Sequence, residues 1–340
     1  MSLPDGWELS ASAFNLTPEI VRAERTASDL TASLVERGIA SAIELELGQM
    51  SRDYPEPSLA GLSAFRERLA QHGGRVSIVG VSLDEFVGGR RRSDAERRAF
   101  LEPQLRAAAA AGATGVRLPI GQAGALLDGL IPLLEDLDLV LYEEIQGHQT
   151  PTDPVAAPAY ARVAELDTPH VRLLLDISLL MPALPVTYLD HVERAGLSPV
   201  LVRRLRDDWR DPGTHAAVVD ELRAGRVPGT MHALFMDLLV RFGRSHVDDL
   251  REVLPLIGGI HLKFWDLDDA DARISQPIRD VGRALRDVGY RGTLCSEWGG
   301  QEWLDDDPWD MTVRHLSLAA GILSDPVTDA ASPLEKARTR

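Results

Sequence analysis

The chain alternates between short apolar runs and longer segments in which apolar residues recur every three or four positions. Most short runs are rich in Val, Ile and Leu on both faces, which is typical of strands in a parallel sheet covered by helices. Eight such runs occur, at residues 7–14, 42–48, 75–81, 115–121, 139–145, 171–177, 258–265 and 292–298. The longer segments between them have the period of amphipathic helices. The pattern therefore predicts repeated strand–helix units.

Eight units without consecutive strands favour an α/β fold of the (β/α)8 TIM barrel type, with a doubly wound open sheet as the rival. The ends of the predicted strands recur at 33, 38, 27 and 32 positions, marked by Glu46, Val79, Arg117, Glu144 and Asp176. The next step, to His261, is 85 positions, and Glu297 follows 36 positions later. The long step indicates about 50 additional residues after the sixth strand.

These spacings predict one barrel domain over residues 1–324, with a helical insertion between strands 6 and 7 at about 180–256. A lid, an interface arm and a small subdomain are all compatible with this insertion. The small, polar segment 325–340 predicts a mobile tail.

Composition narrows the function classes. The chain has 340 residues and a formal net charge of -16, with Lys+Arg 36 against Asp+Glu 52. This charge argues against nucleic acid and anionic membrane surfaces, which bind mainly through clustered Lys and Arg. The single cysteine, Cys295, cannot form an internal disulfide. With no signal-like start and no long apolar run, the sequence predicts a cytoplasmic protein.

Charged residues close the last four predicted strands, in the order Glu143/Glu144, Asp176, His261 and Glu297. Such ends are costly in an apolar sheet unless they are paired or bind a metal. In a barrel they would converge on one point. Three carboxylates and one imidazole suit Mn²⁺ or Mg²⁺ better than structural zinc. Ordinary salt bridges and helix caps are the alternative for any one of them.

The fifth strand offers two glutamates. Regular alternation places Glu144 on one face with Tyr142, Gln146 and His148, and Ile145 on the face that packs against helices. We therefore predict Glu144 as the ligand; a bulge would favour Glu143.

Further candidates lie close to these positions. Lys263 shares a strand face with His261, so it could hold a substrate oxygen or form a salt bridge. His148 could be a general acid or base, or a surface histidine. Substrate contacts are predicted for Gln146, Trp265, Trp298 and Arg117, although tryptophan in a barrel is also a common core residue.

The runs LYEEIQGHQTP, LLLDIS, GIHLKFWD and LCSEWGG resemble the xylose isomerase-like barrel superfamily of sugar isomerases, epimerases, dehydratases and endonuclease IV. The resemblance implies one divalent ion held by Glu144, Asp176, His261 and Glu297. Leu179 departs from it, since many members carry a histidine there. The additional His and Asp ligands of endonuclease IV are not evident either, which disfavours DNA repair.

The resemblance implies a metal-dependent enzyme that removes a proton next to a carbonyl of a carbohydrate or keto-sugar through an enediolate. Glu144 and Glu297 would carry protons, helped by His148 or Lys263. Reprotonation elsewhere gives an isomerase or epimerase. Loss of a β-substituent gives a lyase, as in the larger subunit of C-glycoside deglycosidases, which release an aglycone from a 3-oxo-glycoside and require a small partner subunit. We expect an oligomer, and a non-catalytic sugar-binding barrel is the third possibility.

Overall fold

The structure is a computed structural model that describes residues 2–325. Eight parallel strands close a barrel, in the order β1, β2, β3, β6, β7, β8, β9, β10 and back to β1. These strands are β1 (Trp7–Ser12), β2 (Ala42–Glu46), β3 (Arg75–Gly80), β6 (Gly115–Pro119), β7 (Val140–Ile145), β8 (Val171–Asp176), β9 (Ile257–Phe264) and β10 (Gly292–Trp298). The predicted barrel is confirmed, and every predicted strand has a counterpart within about two residues.

Helices connect the strands and cover the barrel. In the part of the chain that the structure describes they are α1 (Thr17–Arg22), α2 (Ala27–Glu36), α3 (Leu47–Met50), α4 (Leu59–Gln71), α5 (Asp94–Ala110), α6 (Leu127–Asp136), α7 (Ala157–Leu166), α8 (Val186–Arg194), α9 (Pro199–Asp207), α10 (Pro212–Arg223), α11 (His232–Val240), α12 (Ser275–Asp287) and α13 (Pro308–Ser324). A capping box formed by Ser93 and Glu96 starts α5.

A small hairpin, which the hydrophobic pattern does not reveal, lies between β3 and α5. Its strands β4 (Phe86–Val87) and β5 (Arg90–Arg91) pair antiparallel, and Gly88 and Gly89 turn the chain with φ of 56° and 80°. Strands of two residues leave no alternating pattern to detect.

The segment between β8 and β9 contains α8 to α11 and has its own apolar cluster around Trp209 and Phe235. It contacts the barrel backbone to backbone. The N–H of Gly243 donates to the carbonyl of Ser178 at 2.8 Å, and the N–H of Ser245 donates to the carbonyl of Leu179 at 3.0 Å. Leu179 is thus a buried anchor point for this segment. Of the predicted tail, only Asp325 belongs to the described residues; 326–340 lie outside them.

Inside the barrel, Ile78, Tyr142 and Leu174 pack together as a separate apolar cluster. These residues lie two positions before Gly80, Glu144 and Asp176, each of which is the last or the penultimate residue of its strand. Because side chains alternate along a strand, these end residues continue the inward face. The apolar cluster therefore forms the floor on which the polar strand ends rest.

Candidate metal centre

Four side chains converge at the carboxyl ends of four adjacent strands: Glu144 on β7, Asp176 on β8, His261 on β9 and Glu297 on β10. One potential ligand atom from each lies within 4.8 Å of those from the other three. All four residues are buried. The structure thus brings together the whole set that the sequence singles out.

Register explains why distant residues meet. Asp176 pairs with His261 across β8 and β9, and Glu297 pairs with Lys263 across β9 and β10. Parallel strands that tilt around a closed barrel present such neighbours at one end. The site is therefore built from rigid strand ends, with the ligands fixed before any ion arrives.

His261 links the set to a fifth carboxylate, Glu44 on β2. Its Nε2 lies 2.8 Å from Oε2 of Glu44, and since a carboxylate only accepts, Nε2 is the donor. This bond directs Nδ1 toward the other ligands, 2.7 Å from Oε2 of Glu297 and 3.0 Å from Oε1 of Glu144. Metal-binding histidines commonly donate their second nitrogen to a carboxylate in this way.

Unpartnered atoms provide the test of whether a metal fits. His261 Nδ1 and Glu297 Oε2 are both buried and lack a hydrogen bond of good geometry, although they lie 2.7 Å apart. Buried polar atoms are normally hydrogen-bonded or bind a cation. Two potential metal ligands that converge without a well-aligned hydrogen bond between them are suited to a shared ion. The residues therefore fit a divalent metal.

The charges around the four potential ligands also agree with a divalent metal. Burial disfavours a charged imidazole, yet Glu297, Glu44 and Glu144 outweigh it and hold the pKa of His261 well above its usual range. In the absence of a metal, the histidine itself therefore supplies the positive charge that the carboxylates require. Burial also raises the pKa of Asp176 to about 6, with Glu297 and Glu144 adding to the rise and Lys263 and His261 opposing it.

Two basic side chains hold the outer oxygens of the two glutamate ligands. Arg117 Nη1 lies 2.7 Å from Oε2 of Glu144, and Lys263 Nζ lies 3.1 Å from Oε1 of Glu297. In each carboxylate the other oxygen faces His261. Burial opposes ionisation of Glu144, but Arg117 and His261 prevail and lower its pKa to about 2. Both glutamates are thus oriented as anions toward one point.

Glu143 points away from this set. Its Oε2 accepts a hydrogen bond from the N–H of Gly121 at 2.9 Å, and burial raises its pKa to about 7. The strand alternates without a bulge at this position, which is why Glu144 and not Glu143 faces inward.

His148 lies against the insertion. Its Nε2 is 3.4 Å from the carbonyl oxygen of Leu238, and its ring packs at 5.7 Å from that of His215. Burial and nearby Arg244 lower its pKa to about 4, so the ring is neutral at neutral pH. Gln146 begins the same loop, where its N–H donates to Oε1 of Gln149.

The two tryptophans require a correction. Trp298 is fully buried, and its Nε1 donates to the carbonyl of Trp265 at 2.8 Å. Trp265 is only 4% exposed and packs edge-on against Phe242. Both side chains are almost completely buried, which argues against the substrate contacts predicted for them.

A cavity of about 420 Å³ opens beside the metal set instead. Its wall includes Glu297 and Arg117, together with residues that sequence reasoning missed: Phe14, Glu46 and Tyr54. Glu46 also contacts Arg117. A signal for Glu44 and Glu46 was present, because two glutamates alternate with leucines in AIELEL, as polar residues do along one strand face.

No family model matches the chain. It is 29% identical over 342 residues to the alpha subunit of a C-glycoside deglycosidase from Arthrobacter globiformis, covering 96% of this chain and 95% of the relative. It is similar to C-glycoside deglycosidase alpha subunits. A 3'-dehydrocarminate deglycosidase alpha subunit from a Microbacterium species is 25% identical, over 95% of this chain and 97% of its own. These similarities confirm the prediction that the protein is an enzyme.

Among solved structures, a D-psicose 3-epimerase crystallised with D-fructose matches with a TM-score of 0.54 at 14% identity. The match covers 96% of this chain and 100% of the epimerase. The match shows that the two chains share the (β/α)8 barrel fold. Within residues 2–325, none of the helices is long and apolar enough to cross a membrane.

Proposed function

We propose that this chain is the larger subunit of a divalent-metal-dependent lyase that releases the aglycone from a 3-oxo-C-glycoside. The observation that carries the proposal is the pairing of the buried Glu144, Asp176, His261 and Glu297 set with full-length likeness to deglycosidase alpha subunits. This favours the lyase over the isomerase or epimerase that the barrel alone suggests. The names of these relatives as alpha subunits also support a hetero-oligomer with another subunit, which the family resemblance implies is small.

The four residues would hold one Mn²⁺ or Mg²⁺, which suits their three carboxylates. When bound, the ion supplies Lewis-acid stabilisation of negative charge on substrate oxygens. Arg117 and Lys263 keep Glu144 and Glu297 oriented, so the ligand geometry does not depend on the substrate.

Glu297 is the ligand carboxylate that reaches the cavity wall, and we assign it removal of the proton next to the carbonyl. The C–H electron pair then moves into an enediolate. When these electrons form a C=C bond, the bond to the aglycone breaks, and the aglycone carbon takes up a proton. We assign Lys263, which contacts Glu297 and is only 11% exposed, the role of holding a substrate oxygen. We assign Glu144 and His148 supporting roles in proton transfer.

The test is incubation of the Mn²⁺-loaded chain with a phenolic 3-oxo-C-glucoside, with and without the small protein encoded beside its gene. The proposal expects free aglycone and an unsaturated keto-sugar. The parent glucoside without the 3-oxo group serves as control and should stay intact, since its C–H is not acidic. A rearranged sugar that keeps its aglycone would favour an epimerase. No reaction together with no bound metal would favour a non-catalytic barrel.

A further inference from the structure

Glu46 is a carboxylate that lies outside the metal set but in the same cavity. It ends β2, and it lines the cavity with Glu297 and Arg117. Its side chain is 26% exposed, whereas Glu144 and Glu297 are 6% and 7% exposed. Of the two glutamates in this cavity wall, Glu46 and Glu297, Glu46 is therefore the more accessible to solvent.

Space for the Glu46 carboxylate is provided by Gly80 on the neighbouring strand. A Cβ at Gly80 would overlap both carboxylate oxygens of Glu46. Gly80 does not have a positive φ, so the backbone itself does not call for glycine here. The missing side chain thus serves the placement of Glu46 against the cavity.

Arg117 is shared between Glu46 and Glu144, which it contacts with different nitrogens. One guanidinium cannot fully neutralise two carboxylates. The pKa of Glu46 is therefore raised. Burial is the main cause, and Glu297 and Glu144 add to the rise, whereas Arg117 and His261 oppose it. Two neighbouring carboxylates with opposite tendencies are a common arrangement for an acid and a base.

We propose that Glu46 is the acid that protonates the departing aglycone carbon. The inference rests on the proposed function, in which Glu297 takes a proton from the carbon next to the carbonyl. The C–aglycone bond breaks, its electron pair stays on the aglycone carbon, and that carbon receives the proton of the Glu46 carboxyl group. One proton is taken and one is returned, so no oxidant or reductant is needed. Glu46 regains its proton from solvent.

A merely structural ion pair is the competing explanation, and the chain offers a matched control for it. Glu8 on β1 pairs with Arg75 on β3 at the opposite end of the barrel. Glu46→Gln and Glu8→Gln each remove one charge from a strand-to-strand Glu–Arg pair. Only the first change affects the cavity.

The experiment uses the Mn²⁺-loaded holoenzyme, with its partner, and a phenolic 3-oxo-C-glucoside in D₂O. Mass spectrometry follows deuterium uptake next to the carbonyl, and chromatography follows aglycone release. Glu46→Gln should keep its bound Mn²⁺ and its deuterium uptake but lose release by about 100-fold or more, the scale of general acid catalysis. Glu8→Gln should match wild type in both.

Gly80→Ala provides a second variant, because its methyl group displaces the Glu46 carboxylate while leaving the metal set intact. It should show the same selective loss of release. Unchanged release in a folded Glu46→Gln or Gly80→Ala enzyme would overturn the assignment, as would an equal loss of uptake and release in Glu46→Gln. If wild type shows neither uptake nor release, the proposed function itself fails.

Discussion

His261 is held by Glu44 through a 2.8 Å hydrogen bond from Nε2 to Oε2, and this bond leaves Nδ1 facing Glu144 and Glu297. Glu44 thereby fixes both the tautomer and the ring orientation that a metal ligand needs. Glu44 was not among the predicted site residues, yet its hydrogen bond prepares the histidine for binding.

Removing Glu44 should weaken metal binding without removing a ligand. We expect Glu44→Ala to lower Mn²⁺ affinity about 10–100-fold, because the imidazole loses its orienting partner. Isothermal titration of the metal-free protein measures this. Glu8→Ala, which loses a glutamate at the other end of the barrel, is the control. Equal affinity in Glu44→Ala and wild type would contradict the role of Glu44.

The two adjacent glutamates of β7 should differ in their effect on metal binding. Glu144→Gln removes a ligand and should lower the bound metal measured by mass spectrometry to well under one ion per chain. Glu143→Gln should retain a full ion, since its side chain contacts Gly121 instead. Metal loss in the Glu143 variant alone would reverse the assignment.

Glu143 should make stability depend on pH. Burial raises its pKa from 4.5 to about 7, so the folded state holds this proton more tightly than the unfolded chain. The stabilisation is fully present below about pH 4.5 and is lost as pH rises through about 7, amounting to about 3 kcal/mol.

Glu143→Gln keeps an acceptor for Gly121 but cannot ionise. Urea unfolding measures the free energy of unfolding of both proteins at pH 4.5 and pH 8. Between these pH values, the stability of the variant relative to wild type should increase by up to about 3 kcal/mol. Contributions from other groups cancel in the comparison. A stability difference that stays constant between the two pH values would show that Glu143 does not titrate as described.

The insertion approaches the loop after β7 at Gly147. This residue has a φ of 57°, and a Cβ there would overlap the carbonyl of Val240. Gly147→Ala should cost about 2 kcal/mol more than Gly225→Ala, which has a similar φ of 65° but no atom within 4 Å of its Cβ. Thermal or urea unfolding measures both. Equal losses of stability in the two variants would mean that the backbone at Val240 moves aside with little loss of free energy.

The barrel was predictable because two periodicities, strand and helix, repeat along the chain at regular spacing. The ligand set was predictable for the same reason, since each member lies in the carboxyl-terminal half of its strand. The alternation that selects Glu144 over Glu143 also places Trp298 on the opposite face from Glu297, which argues against a substrate contact for that tryptophan. Trp265 lies beyond its strand, where alternation gives no guidance.

Other features depend on contacts that no local pattern records. The shared use of Arg117 by Glu46 and Glu144 joins three strands that lie far apart in the sequence. A register shift between Ile43 and Leu45 also falls at Glu44, and irregularities of this kind have no reliable sequence signal. The insertion's contact with Leu179 likewise follows from tertiary packing.

Metal binding at Glu144, Asp176, His261 and Glu297 is the central claim, and titration of metal-free wild type and Glu297→Gln with Mn²⁺ tests it most directly. The account predicts one ion per wild-type chain and at least about tenfold weaker binding in the variant. A wild-type chain that binds neither Mn²⁺ nor Mg²⁺, or a variant that binds as tightly as wild type, would contradict it.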